Sequence, residues 1–188
     1  AALGNALVAP VVAYVPEGSI SPPTGHMRFP GTITIPERTF EELLESAARG
    51  FRLHGFKDIV FIGDHGDYQK AMKRVAATLN REWSKTAVRA YAIDEYYRAA
   101  EEFAKSLKEK GYSDAEVGTH AGVADTSLTL AVDPSLVRAD RMKAGTGKTD
   151  GAYGDPRRSS AELGKPGVDL IVERTVSAIQ QALKRRQL

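Results

Sequence analysis

The chain has 188 residues, 42% hydrophobic and 27% charged, with a net charge of +2 and no cysteine. That length suits one domain with a full hydrophobic core. The missing cysteines exclude disulfides, thiolate metal ligands and thiol nucleophiles, and the small net charge gives no electrostatic case for a nucleic-acid partner. No apolar run reaches the roughly 18 residues of a membrane helix, so no membrane partner is expected. The opening AALGNALVAPVVAYVP is apolar but is interrupted by Gly4, Asn5, Pro10 and Pro16 and lacks a basic start. It does not fit a signal peptide, and the expected location is the cytoplasm.

In chain order, Ala1-Ala2-Leu3-Gly4 resembles the end of a helix with a glycine cap. This leads to the expectation of a single domain over 1–188, truncated at its N-terminus. Residues 8–15 are valine-rich and predict a strand. Residues 16–30 form a Gly/Pro/Ser loop, and 32–35 predict an edge strand. Thr39 followed by Glu42 fits a capping box. The helix it opens carries Phe40, Leu43, Leu44, Ala47 and Phe51 on one stripe and stops near Gly55. Residues 58–62 form an apolar run without alternation, typical of a strand covered on both faces. A helix follows over 68–83, then a strand over 88–93. The next helix runs to Lys110, with Asp94 at its N-cap. A further helix over 126–132 ends at Pro134. Residues 139–166 predict a long polar loop, and 168–188 a final helix whose basic end at 184–186 complements the helix dipole. Strands alternating with helices predict an α/β fold with a mostly parallel sheet.

In such sheets, sites form at the carboxyl ends of strands. The strand at 58–62 runs directly into Gly63-Asp64-His65-Gly66-Asp67. Imidazole and carboxylate are usual ligands for zinc or manganese. The alternative is that Asp67 only caps the next helix. His120 lies in a turn before a helix, with Asp125 close behind, where it is either a general acid or base or a hydrogen-bonded turn residue. His26 sits in the loop ahead of Phe29-Pro30-Gly31-Thr32, and His54 reads as a helix-end residue. The stretch 145–149 lacks the first glycine of a phosphate loop, since position 142 is Met142. Ser19 and Ser127 lack the nucleophile elbow.

Three stretches together resemble the creatininase (creatinine amidohydrolase) family: Gly18-Ser19 through His26-Met27-Arg28-Phe29-Pro30-Gly31-Thr32, Asp64-His65-Gly66-Asp67-Tyr68, and His120-Ala121-Gly122-Val123-Ala124-Asp125-Thr126-Ser127. The tail with Gly154-Asp155-Pro156 and Ala161-Glu162 is similar too. The resemblance implies a three-layer α/β/α sandwich, assembled as a homo-oligomer, typically a hexamer. It implies metal-dependent hydrolysis of an amide or cyclic amide bond in a small-molecule substrate, with a pair of zinc or manganese ions. By resemblance, His65 and Asp67 are metal ligands with Asp64 beside them, and His120 and Asp125 are catalytic. His26 and Tyr68 would line the substrate pocket. The family's other ligands come from an N-terminal E-x-H-G-P-H-type segment, and residues 1–20 hold no match to it. The alternative expectation is therefore a catalytically inactive subunit with a structural or small-molecule-binding role.

Overall fold

The structure is a computed structural model that describes residues 2–185. It forms two compact units, Ala1–Tyr97 with Thr175–Leu188, and Arg98–Arg174.

The first unit holds α1 (Glu37–Leu53), β1 (Asp58–Phe61), α2 (Gln69–Glu82) and β2 (Arg89–Ala92). The two strands pair in parallel, from Asp58 opposite Arg89 to Phe61 opposite Ala92. This is the α/β fold with a parallel sheet that the alternating pattern predicts. Phe40, Leu44 and Ala48 of α1, Met72, Val75 and Leu79 of α2, and Trp83 form one buried core with Ile59 and Ala90. The Asn80 side chain finishes the edge of β2: its amide donates to the Ala90 carbonyl (2.8 Å), and its oxygen accepts from the Ala90 N–H (2.9 Å). A backbone pair that a third strand would otherwise satisfy is thus met from the helix above it.

Three local expectations change here. Residues 8–15 form no strand: Pro10 interrupts them, Pro16 follows them, and a single bond, Ile35 N–H to the Val15 carbonyl (3.3 Å), joins them to residues 32–35. Val12 and Val15 pack against the core, while Leu7, Val8 and Val11 are exposed. Residues 32–35 likewise lack a ladder. The capping box at Thr39 is not made, since α1 begins at Glu37 behind Pro36 and Thr39 lies inside the first turn.

α3 (Glu95–Glu109) and α6 (Ala161–Arg185) cross from one unit to the other, and α4 (Asp114–Val117) and α5 (Val123–Val132) belong to the second. Phe103, Leu107, Val117, Val123 and Ala124 form that unit's core. α4 is opened by a capping box: Ser113 accepts from Glu116 N–H, and Glu116 accepts from Ser113 N–H. The segment 139–166 is not a free loop. It contains single helical turns at Ala139–Arg141 and Pro156–Arg158, and Tyr153 bridges to His120. α6 begins at Ala161, earlier than expected, and carries Pro166 inside it. A proline near a helix start removes one bond and kinks the chain without ending it. The predicted basic end includes Arg186, and the predicted N-terminal helix tail includes Ala1; both lie outside the described residues. Among the described residues no helix is long and apolar enough to cross a membrane.

Candidate metal centre

The first unit gathers Glu17, His26 and His65 at the carboxyl end of β1. Loop 16–32 brings Glu17 and His26 together by folding back on itself. The His26 N–H donates to the Glu17 carbonyl (3.0 Å), and Thr24 N–H donates to the Ser19 carbonyl (3.0 Å). The Glu17 N–H is tied down by the Thr34 hydroxyl (2.9 Å). Gly25 makes the fold-back possible: its φ is +54°, and a Cβ there would lie 2.6 Å from the Glu17 carbonyl oxygen. His26 then sits on the single turn Gly25–Arg28.

His65 arrives from the other side, on the turn between β1 and α2. The Gln69 side-chain amide donates to the carbonyls of Gly63 (2.9 Å) and His65 (3.0 Å), clamping that turn. Tyr68 is buried, stacks on the His65 ring at 5.6 Å, and packs on Phe40 at 5.3 Å. Only a glycine at 63 leaves room for the Tyr68 ring. The Tyr68 hydroxyl accepts from Asp64 N–H (2.9 Å). Burial pushes its ionisation above the ordinary tyrosine value, against the pull of that amide.

The three side chains meet closely. His26 Nδ1 lies 2.6 Å from Glu17 Oε2, and His65 Nε2 lies 3.2 Å from both Glu17 Oε2 and His26 Nδ1. The Asp67 N–H donates to His65 Nδ1 (3.1 Å). With Nδ1 accepting, a neutral His65 ring carries its proton on Nε2, which is at hydrogen-bond distance from His26 Nδ1, and His26 Nδ1 is in turn at hydrogen-bond distance from Glu17 Oε2. Two imidazoles and one carboxylate, each offering one ligand atom at these distances, form a candidate metal-binding set. Three protein ligands with a position left open is the pattern of catalytic zinc sites. A tetrahedral ion with bonds of about 2.0–2.1 Å sets its ligand atoms about 3.4 Å apart, so the residue types fit and the Glu17–His26 pair opens by under about 1 Å to admit one. A bound ion would require His26 Nδ1 and His65 Nε2 to be free of protons.

The predicted site residues divide between the units. His65 and His26 meet in this cluster, and Tyr68 supports it. Asp64 and Asp67 sit on the same turn with exposed side chains, and their carboxylates are not part of the cluster. Asp67 does not cap α2 either, because Tyr68 occupies the N-cap and no side chain bonds there. Glu17 went unnoticed in the sequence. His120 and Asp125 lie in the second unit. His120 packs edge-on against Tyr153 at 5.9 Å, and Asp125 Oδ2 accepts from Ala121 N–H (3.0 Å), which holds the turn that carries His120. Although Asp125 is exposed overall, the protein packed around its carboxyl pushes it above the ordinary range. The Ala121 amide and the charge of His120 pull it back. The 145–148 stretch spends all four of its amides internally: Gly145 on Gly154, Thr146 on Asp150, Gly147 on Ala152 and Lys148 on Thr146. That leaves no open nest for phosphate.

An α/β chain with a two-histidine, one-carboxylate cluster at the end of a parallel strand belongs to a broad class of proteins equipped for metal chemistry. This chain belongs to the creatininase family: the family model described as creatinine amidohydrolase matches residues 1–179. A solved creatinine amidohydrolase (creatininase) superposes with a TM-score of 0.72 at 21% identity, covering 94% of this chain and 75% of that one. A creatininase point variant of the Zn-Zn type gives 0.68 at 20% identity, covering 90% and 72%. A structure named "Creatininase Mn" gives 0.64 at 21%, covering 82% and 67%. No curated protein sequence matches significantly.

Proposed function

We propose that this chain is a metal-dependent amidohydrolase acting on the amide or cyclic amide C–N bond of a small molecule. The observation that carries the proposal is the convergence of Glu17, His26 and His65 on one point. These three residues would hold zinc or manganese. A bound ion of this kind lowers the pKa of a water molecule and polarises the scissile carbonyl. Glu17 is hydrogen-bonded to His26 and lies within ion-pair distance of His65, so its carboxylate would be the group that offsets the charge of a cation there. Tyr68 and Gln69 keep the His65 ring in place. His120 is assigned a role as general acid or base, on its match to the family's H-A-G stretch. Asp125 orients the turn beneath it through the Ala121 amide. The family's second ion and its homo-oligomeric assembly extend the same proposal.

Metal content tests it. The protein purified without chelator is expected to carry near-stoichiometric zinc or manganese, and Glu17→Ala and His65→Ala are expected to lose it. A native protein that neither carries nor takes up either metal would overturn the reading. One observation favours a second reading: the 2.6 Å Glu17–His26 contact is a hydrogen-bond length, as in a structural carboxylate–imidazole pair. On that reading the fold serves as a non-catalytic binding or assembly subunit. The same measurement separates the two, because a self-contained triad leaves the protein metal-free.

A further inference from the structure

We infer that the second unit carries a binding site for a small organic anion. A cavity of about 480 Å³ lies between α5 and the chain that follows it. That volume suits a small-molecule ligand. Arg138, Arg141 and Lys143 supply three cations to its lining within six positions of one segment, and α5 contributes Thr126.

The charges on the lining are not equivalent. Its two carboxylates are already engaged by the backbone. Asp125 accepts from Ala121 N–H, and Asp150 accepts from Thr146 N–H (3.0 Å) and Ala152 N–H (3.2 Å). Their lone pairs hold turns together. Of the cations, Arg141 lies 3.2 Å from its neighbour Asp140. Arg138 and Lys143 have no carboxylate partner among the described residues. The lining therefore holds three cations against two carboxylates, and the carboxylates, though still charged, have oxygens already bonded to backbone amides. An arginine fork and a lysine point charge together recognise a compact oxyanion, a carboxylate or a phosphate. Leu136, 68% exposed, and Met142 offer apolar surface on the same lining for the body of such a molecule. The loop at 145–148 takes no part, since its amides are committed.

Calorimetric titration of the full chain at low ionic strength, with inorganic phosphate and with succinate as separate probes, tests this. Saturable binding of at least one probe, weakening as sodium chloride is added, is expected. The probe that binds distinguishes phosphate from carboxylate. Replacing both Arg138 and Lys143 with Gln should weaken that binding about tenfold or more, given the usual strength of charge-assisted hydrogen bonds. Lys148→Gln should leave it unchanged. His65→Ala should also leave it unchanged, so the anion site and the metal proposal stand or fall separately. All the substituted cations are exposed, and unchanged thermal melting confirms that the variants fold. No saturable binding of either probe, or equal binding by the double variant, would overturn the inference.

Discussion

The loop-and-turn pair of the first unit and the His120 turn of the second solve the same problem in opposite ways. Glu17, His26 and His65 hold one another: the polar atoms that could meet a ligand are the ones now bonded among themselves. In the second unit the side chains serve the backbone. Asp125 and Asp150 are consumed in fixing turns, and the groups left available are cations at a cavity. A set of donors satisfied by one another can be taken over by a metal ion, which only has to displace protons. A set whose carboxylates cap backbone amides cannot give them up without losing the turn. The first arrangement is suited to exchange and the second to a permanent shape.

The comparison breaks most visibly at His65. His65→Ala should lower zinc affinity by about a hundredfold or more, beyond the 10–100-fold that loss of a supporting partner costs. Competition titration with a chromophoric chelator measures it, and a loss no larger than that of Gln69→Ala would remove His65 from the ligand set. Next comes Gly25→Ala. A left-handed residue with a side chain costs about 1–2 kcal/mol, and here the added Cβ also meets the Glu17 carbonyl at 2.6 Å. Gly55, with φ +91° and nothing within 4 Å, is the control. Both variants should lose stability in urea, but Gly25→Ala should also weaken zinc binding and Gly55→Ala should not. Equal zinc affinity in the two would mean that the fold-back of loop 16–32 does not set the donor geometry.

The sequence carried some of this and hid the rest for identifiable reasons. The two strands were legible because each is a β-branched or apolar run bounded by turn residues. His65 was legible because it follows a strand without a break. Glu17 was not, because its position beside His26 comes from a backbone fold-back across nine residues, which leaves no periodicity. The available signal was Gly25 directly before a histidine in a proline-rich loop. The capping role predicted for Thr39, and the one weighed as the alternative for Asp67, are not made because local capping patterns compete with helix starts set by Pro36 and by the buried Tyr68. The helix at Ala161 was concealed by Pro166 and Gly167, which read as breakers but fall early enough in α6 to be tolerated. The valine-rich 8–15 has strand composition without a strand partner, and composition cannot supply one.

Gln69→Ala sharpens the first half of the comparison. It removes the amide that clamps the Gly63 and His65 carbonyls and leaves every donor atom in place. Zinc affinity should fall about tenfold, the low end of the cost of a lost supporting partner. Gln69→Glu cannot donate to two carbonyls when ionised and should match the alanine variant. Recovery in Gln69→Glu would show that helix propensity or packing, not the clamp, was at work.

The smallest effect belongs to Asp125. Its carboxyl titrates above the ordinary range in the folded chain because the surrounding protein disfavours its charge. The folded state therefore holds that proton more tightly than the unfolded state does. The resulting stabilisation is complete below the unfolded carboxylate value and is lost as pH rises through the folded one. Asp125→Asn carries no titrating proton and can still accept from the Ala121 N–H. Urea midpoints measured from about pH 4 to pH 7, across and above the usual carboxylate range, should show the wild type losing ground to the variant as pH rises, then a constant gap. Solvent at the exposed side of Asp125 keeps that gap small. Parallel curves would place the Asp125 carboxylate in ordinary water and leave only its hydrogen bond to Ala121 to explain why it stands there.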